Sequence, residues 1–173
     1  MPRPRLDRPA AIDDLLLYRM SRVLAVAGSM VIRLCEGRFG ITRREWRLIA
    51  LLAVDDGLLS SELADRAQLD RARTSRAITS LVQKKLVSRQ TGTADRRQAR
   101  VALTARGRSL HAELFPLVCE INRQLLEVLP AGDVQRLDQA LAQLQAQADH
   151  LVADAHLPKA DRRRGGRAWL AMG

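Results

Sequence analysis

The spacing of apolar residues along the chain predicts a mainly α-helical protein with one short β-hairpin. Over residues 12–37 the apolar side chains fall on more than one face of a helix, so this helix must be buried on several sides. Residues 98–103 alternate as a strand does and follow a predicted turn over 91–95. The other predicted elements are helices over 43–54, 61–68, 71–85, 105–129 and 134–151, and a first hairpin strand over 86–90.

Polar residues at the predicted helix starts support these boundaries. Thr42 and Glu45 have the spacing of a capping box, in which each side chain bonds the backbone N–H of the other residue. Gly37 and Gly40 end the first helix, and Pro116 should kink the fifth. The other predicted N-caps are Ser60, Asp70, Thr104 and Asp133.

Residues 60–103 have the pattern of a winged helix-turn-helix: two helices, a tight corner at Leu69, and a hairpin with basic residues near its tip. At 3.6 residues per turn, the inner face of the second helix is predicted to be Thr74, Ala77, Ile78 and Leu81. The outward face is then Arg73, Arg76, Ser80 and Gln83. An arginine there can bind guanine bidentately, which contributes about 1–3 kcal/mol of discrimination. The alternative is that these arginines form the solvent-exposed face of an ordinary helix and bind no DNA.

The distribution of charge supports a polyanionic partner. The 173 residues carry a formal charge of +10, and residues 42–108 hold 15 Lys and Arg against 7 Asp and Glu. Residues 109–158 hold 2 against 7, so the basic middle of the chain is the part expected to meet nucleic acid. Only five aromatic residues occur, which argues against an RNA-binding protein that stacks bases on aromatic side chains.

The order of the elements over 12–152, and the residues over 60–107 in particular, resemble the MarR family of bacterial transcription regulators. The matching runs are Ser-Ser-Glu-Leu-Ala-Asp-Arg-Ala-Gln-Leu-Asp over 60–70, Asp-Arg-Arg over 95–97 and Leu-Thr-Ala-Arg-Gly over 103–107. The resemblance implies an obligate homodimer whose two winged-helix lobes read a palindrome. Lys85 stands where the family usually has glycine, so a positive φ is expected at this non-glycine residue.

The resemblance also implies roles for the wing. It makes Arg97 the residue that enters the minor groove and Asp95 the residue that orients it. Combined with the outward helix face, it gives a predicted DNA-binding set. This set is Ser60, Arg71, Arg73, Ser75, Arg76, Thr79, Ser80, Asp95, Arg96 and Arg97.

The apolar surfaces of the first and last predicted helices indicate self-association. One winged-helix lobe is too small to cover the apolar first helix and the last helix as well, so a second copy is the simplest partner. The last helix has apolar residues at alternating spacings of three and four, the pattern of a heptad seam. The residues of this seam are Val134, Leu137, Leu141, Leu144, Ala148 and Leu151.

A small-molecule pocket between the dimer region and the winged-helix lobe follows from the resemblance alone. Many family members bind aromatic carboxylates or phenols there. Arg19 and Arg22 lie in a very apolar helix, so each needs an acidic partner, either Asp13 or Asp14 or the carboxylate of a ligand. The candidate effector-binding residues are Tyr18, Arg19, Arg22, Trp46 and His111.

Other function classes find less support in the sequence. Cys35 or Cys119 would serve a thiol-based redox regulator, but the better interpretation is that both are buried structural cysteines. The three histidines lack metal-ligand spacing, and no catalytic or cofactor-binding motif occurs, so we predict neither an enzyme nor a cofactor. An architectural DNA-binding protein without an effector remains the other alternative.

The predicted organisation has five parts. We expect a cytoplasmic protein without a membrane span, because the apolar run over 23–32 is only ten residues long and follows two aspartates, which argues against export. The parts are a flexible basic arm over 1–11, a dimerisation helix over 12–41, the winged helix-turn-helix lobe over 42–108, dimerisation helices over 109–156, and a mobile basic tail over 157–173.

Overall fold

The computed structural model describes residues 5–90 and 99–156, and these form a mainly helical fold, as predicted. The predicted turn and the wing residues Asp95, Arg96 and Arg97 lie outside the described residues, as does the tail. The helices are α1 (Leu16–Arg33), α2 (Arg43–Val54), α3 (Ser60–Arg66), α4 (Arg71–Gln83), α5 (Ala105–Leu126) and α6 (Ala131–Asp154). The strands are β1 (Leu58–Leu59), β2 (Val87–Gln90) and β3 (Arg100–Leu103).

The predicted first helix over 12–37 is divided into three segments. A short 3-10 turn over Ile12–Asp14 precedes α1, and a π-helical segment over Leu34–Arg38 follows it. The Asp14 carboxylate accepts the backbone N–H groups of Ala10 and Ala11 at 3.1 and 3.2 Å and so caps the 3-10 turn. Leu15 then has an extended backbone, with φ −73 and ψ 129, so α1 begins only at Leu16.

The sheet contains a strand that the sequence did not reveal. Its order is β1-β3-β2 with both pairings antiparallel, and Leu58 pairs with Val101 while Val87 pairs with Leu103. β1 has only two residues, too few to show an alternating pattern. It ties the start of α3 to β3 and thereby fixes the wing strands to the helix-turn-helix.

The core lies between α2, α4, α5 and the sheet. All four residues predicted for the inner face of α4 are buried, including the polar Thr74, whose hydroxyl donates to the Asp70 carbonyl. Fully buried side chains from the neighbouring elements complete this core. They are Leu48, Ile49 and Leu52 of α2, Leu63 of α3, Val101 of β3 and Leu114 of α5.

The start of α5 passes very close to the residue before β2. The Thr104 side chain accepts the Gly107 N–H, as predicted for an N-cap, and its hydroxyl donates to the Lys85 carbonyl at 2.7 Å. A Cβ at Gly107 would lie 2.0 Å from the backbone oxygen of Leu86, so only glycine fits there. Lys85 has φ +59, which confirms the positive φ expected at this position.

The chain divides into two compact units, the first ending at Glu127 and the second containing α6. The prediction that Asp133 caps the last helix was wrong, because the Pro130 carbonyl already accepts the backbone N–H groups of Asp133 and Val134. Asp133 instead lies in the first turn and pairs with Arg136. Among the described helices, none has the length and apolar character needed to cross a membrane.

We predict that Gly107→Ala destabilises the fold. The added methyl would meet backbone atoms that cannot rotate away, so the free energy of unfolding should fall by about 1–3 kcal/mol, the range of overpacked sites. Chemical denaturation followed by circular dichroism measures this. Gly132→Ala is the matched control in the first turn of α6, where no described atom lies within 4 Å of the added Cβ. Equal effects of the two substitutions would contradict the prediction.

Candidate nucleic-acid interface

Both ends of α4 are anchored, and this sets the direction of its outward face. At the N-terminus the Asp70 side chain accepts the Arg73 N–H at 2.8 Å, which confirms Asp70 as the N-cap. At the C-terminus the ammonium of Lys84 donates to both oxygens of Glu45 at 3.0 and 2.9 Å and to the Gly40 carbonyl at 2.9 Å. The helix is therefore held to the start of α2 as well as to the core.

The Glu45 carboxylate is buried at this contact. It also accepts the Thr42 N–H at 2.6 Å, and the Thr42 hydroxyl accepts the Glu45 N–H, so the predicted capping box is present. Burial acts to raise the pKa of Glu45, but hydrogen bonds from Ser80 and Lys84 outweigh it and leave the pKa below its ordinary value. Glu45 is therefore a charged buried group that links the start of α2, through Thr42, to the end of α4, through Lys84.

Most of the residues predicted for the outward face of α4 are exposed. Arg76 makes no ion pair with any described residue, whereas Arg73 pairs with Asp70 at 3.0 Å. The Thr79 hydroxyl donates to the Ser75 carbonyl at 2.9 Å. The exposed members of the predicted set are Arg71, Arg73, Ser75, Arg76 and Thr79.

Two serines of the predicted set differ from expectation. Ser80 is half-buried, not exposed, and lies close enough to the Glu45 carboxylate to lower its pKa. Ser60 is not the N-cap of α3, since Leu59 holds that position and the Glu62 carboxylate accepts the Leu59 N–H at 2.8 Å. The Ser60 hydroxyl instead donates to the Ala99 carbonyl at 3.3 Å, a contact with the strand next to the wing.

Asp56 holds the base of the wing. Its carboxylate accepts the Leu103 N–H at 2.9 Å and an Arg108 N–H at 2.8 Å. Burial acts to raise the pKa of Asp56, but the hydrogen bonds from Arg108 and Leu103 outweigh it and lower the pKa. Arg100 also donates to the Gly57 carbonyl at 2.8 Å, so the turn after α2 binds β3 at two points.

An apolar hollow of about 460 Å³ lies behind the helix-turn-helix, where α1, α2 and α5 meet. Trp46 stacks on His111 with ring centroids 5.5 Å apart, and His111 stacks on Phe115 at 5.1 Å. Burial lowers the pKa of His111, which favours the neutral form of the ring. We call this space the apolar hollow; its lining includes Leu24, Val31, Arg43, Trp46, Arg47 and Phe115.

The structure does not bring the five candidate effector-binding residues together. Trp46 lines the apolar hollow and His111 stacks on it, but Arg19 and Arg22 line a separate surface hollow with Asp13. Arg22 donates to Asp13 at 3.0 Å, one of the acidic partners expected for it. Tyr18 is half-buried and lines neither hollow.

Sequence reasoning missed three residues of the apolar hollow. Arg43 and Arg47 lie one turn apart on α2, and Phe115 follows His111 by four residues on α5. The four-residue spacing of two rings on one helix is a signal that could have identified Phe115. The arginines gave no such signal, because their position depends on how α1 crosses α2.

The two cysteines have different environments. Cys35 is fully buried, and burial raises the pKa of its thiol to about 11, so it is not a reactive thiolate. The interpretation of Cys119 as buried was wrong, because it is exposed. Leu114 and Val118 of α5 pack against the hydrophobic core. Cys119 is the next residue of the helix after Val118, so its side chain points about 100° away from that face. No group of three His, Cys, Asp or Glu suited to a metal occurs within residues 5–90 and 99–156.

Comparison with known proteins finds one family model that matches part of the chain. The sequence model of the MarR family matches residues 39–98. No curated protein sequence gave a match.

Solved structures show the same fold over most of the chain. A MarR-family transcriptional regulator from Silicibacter pomeroyi is 24% identical with a TM-score of 0.69, covering 79% of this chain and 92% of its own. NadR in complex with 4-hydroxyphenylacetate is 28% identical with a TM-score of 0.64, covering 78% and 96%. CouR from Rhodococcus jostii RHA1, bound to p-coumaroyl-CoA, is 22% identical with a TM-score of 0.67, covering 78% and 94%.

We predict that Lys84→Met destabilises the protein and that this effect shrinks at acid pH. Removing the ammonium leaves the buried Glu45 carboxylate without its main partner, at a cost of about 1–3 kcal/mol at pH 7. The pKa of Glu45 is lowered in the native protein, so its stabilising contribution is present above the unfolded value of about 4.3 and is lost as the pH falls through the folded value.

The control is a double-mutant cycle with Glu45→Gln, followed by urea denaturation at pH 7 and at pH 4. In the Glu45→Gln background, Lys84→Met should cost less than it does alone, because no buried charge is left unpaired. Additive losses, or a loss that does not change with pH, would show that Lys84 acts only through packing.

Proposed function

We propose that this chain, whose residues 39–98 match the sequence model of the MarR family, is a transcriptional regulator of that family and a repressor of a catabolic or efflux operon. It binds a palindromic DNA duplex as a homodimer, and a small aromatic acid or phenol releases it. The observation that carries this proposal is the exposed, arginine-bearing face of α4, whose opposite face is buried in the core.

The face of α4 supports base readout in the major groove. Arg73 and Arg76 lie in the first two turns, the part of a recognition helix that contacts base edges. The pairing of Arg73 with Asp70 orients that guanidinium before DNA arrives. Arg76 has no such partner among the described residues, so its donors are available to guanine. The wing residues Asp95, Arg96 and Arg97 are proposed to contact the adjacent minor groove.

The apolar surfaces of the chain support a homodimer. No residue of α1 is buried within the single chain, and Leu17 and Val26 are 79% and 75% exposed. Leu141 and Leu144 of the predicted α6 seam are 42% and 41% exposed. Surfaces of this kind are usually covered by a partner, and a second copy covers them with two-fold symmetry. Two lobes then read half-sites about 10 bp apart.

The apolar hollow supports an aromatic effector. It lies beside α2, which carries both Trp46 and the Glu45 anchor of α4, so a bound ring would act on the element that holds the recognition helix. NadR was crystallised with 4-hydroxyphenylacetate and CouR with p-coumaroyl-CoA, and both ligands contain a phenol ring. We propose that an aromatic ring stacks near Trp46 and Phe115 in this chain as well.

We predict that Arg76→Ala weakens binding to a selected palindrome far more than binding to random DNA. Losing one bidentate base contact should raise the dissociation constant for the palindrome roughly 10- to 100-fold, which corresponds to about 1–3 kcal/mol. Fluorescence anisotropy with both duplexes at ~150 mM salt measures the ratio. Arg136→Ala, which removes an equal charge from α6, should leave the ratio unchanged.

Equal losses on both duplexes would assign Arg76 to phosphate contacts. Equal affinity of the native protein for palindrome and random DNA would instead favour the architectural alternative.

We predict that Leu141→Asp disrupts the dimer and DNA binding together. A carboxylate in a buried seam has no partner and costs several kcal/mol. Sedimentation velocity should show monomer or aggregate, and the anisotropy signal on the palindrome should disappear. Gln143→Asp adds the same charge on the other side of α6 and should stay dimeric. A dimeric Leu141→Asp protein that still binds DNA would exclude this seam from the interface.

A further inference from the structure

A second hollow, of about 420 Å³, shares lining residues with the apolar hollow, and three of its seven lining residues are arginines. Arg43, Arg44 and Arg47 line it from α2, Glu36 lines it from the π-helical segment, and Leu69 lines it from the corner between α3 and α4. We call it the basic hollow. Arg43 and Arg47 line both hollows, so these two side chains stand at the border between the apolar and the basic surfaces.

The basic hollow has more positive charge than its own carboxylate can balance. Glu36 is the acidic residue of its lining, against three guanidinium groups. Neither Arg43 nor Arg44 makes an ion pair within residues 5–90 and 99–156. Guanidinium groups bind phosphate through parallel N–H···O bonds, so the oxygens of a phosphate suit this lining.

Gly28 of α1 makes room for the arginine between the two hollows. A Cβ at this position would lie 2.9 Å from Nη1 of Arg43, so any larger residue would push the guanidinium away. The absence of a side chain lets Arg43 lie against α1 while still facing both spaces. A ligand that occupies both hollows would therefore pass the Arg43 guanidinium.

The basic hollow is also connected to the helix-turn-helix. Nη1 of Arg47 donates to the carbonyl of Ala67 at 2.8 Å, directly after α3. Leu69 at the corner lines the same space. An anion that recruits the Arg47 guanidinium competes with the Ala67 carbonyl for its donors. Occupation of the basic hollow thus acts on the corner that positions α4.

We propose that the effector is an aromatic acyl group joined to a phosphate-bearing carrier, of which a coenzyme A thioester is the chemical type. The aromatic group occupies the apolar hollow and the phosphates of the carrier bind Arg43, Arg44 and Arg47. This inference rests on the proposed function and narrows its effector from a free aromatic acid to the activated form of that acid. The reaction that supplies the effector is then thioester formation on an aromatic acid.

Trp46 fluorescence tests the proposal directly, in a Trp169→Phe background that leaves a single tryptophan. The probes are benzoyl-, phenylacetyl- and cinnamoyl-coenzyme A, the three free acids, and coenzyme A alone. We expect at least one thioester to bind ten times or more tightly than its free acid. Arg44→Gln should weaken that thioester about tenfold and leave the free acid unchanged, because Arg44 lines only the basic hollow. Arg136→Gln is the charge-matched control and should change neither.

The same proteins are then assayed on the selected palindrome. The preferred thioester should release native protein at a lower concentration than the free acid, and Arg44→Gln should bind DNA normally but resist release. Thioesters that bind no better than the acids would overturn the inference while the proposed function stands. A loss of DNA affinity in Arg44→Gln would also overturn it, by assigning Arg44 to a DNA phosphate. Failure of native protein to prefer the palindrome would instead reject the proposed function.

Discussion

The burial of one face of α4 is the constraint on which the rest of the structure depends. Ile78 and Leu81 are almost wholly buried, so the helix cannot rotate without exposing them. The Asp70 cap and the bond from Lys84 to Glu45 fix its two ends. Because α4 is held in this way, Arg73 and Arg76 point in one direction, which recognition of base edges requires.

The sequence was sufficient to predict those features that depend on local chemistry. The 3.6-residue period identified the buried face of α4. The residue types before each helix identified the N-caps at Thr42, Asp70 and Thr104. The family resemblance, which places a glycine at this position, led us to expect the positive φ of Lys85. These features are set within one or two helical turns, where the amino-acid pattern is informative.

The features that the sequence did not reveal depend on contacts between distant residues. β1 exists because Leu58 pairs with Val101, 43 residues away in the chain. Ser80 is half-buried near Glu45 of α2, which lies 35 residues earlier in the chain. The candidate effector-binding residues were chosen by their position near a predicted junction, and the fold places Arg19 and Trp46 in different hollows.

The two hollows beside α2 give the proposed regulation a physical basis. Trp46 and Glu45 are neighbours on α2, one facing the apolar hollow and the other binding Lys84 at the end of α4. Arg47 lines the basic hollow and bonds the carbonyl that follows α3. A ligand in this space therefore contacts residues that hold both helices of the helix-turn-helix, so differential binding would shift their position.

The most direct test of the central claim is selection from a library of random DNA duplexes by the native protein, followed by sequencing of the retained pool. The account predicts enrichment of one inverted repeat whose half-sites are about 10 bp apart from centre to centre, because two copies of α4 are related by two-fold symmetry. A retained pool without any shared motif, or with a single unrepeated half-site, would contradict it.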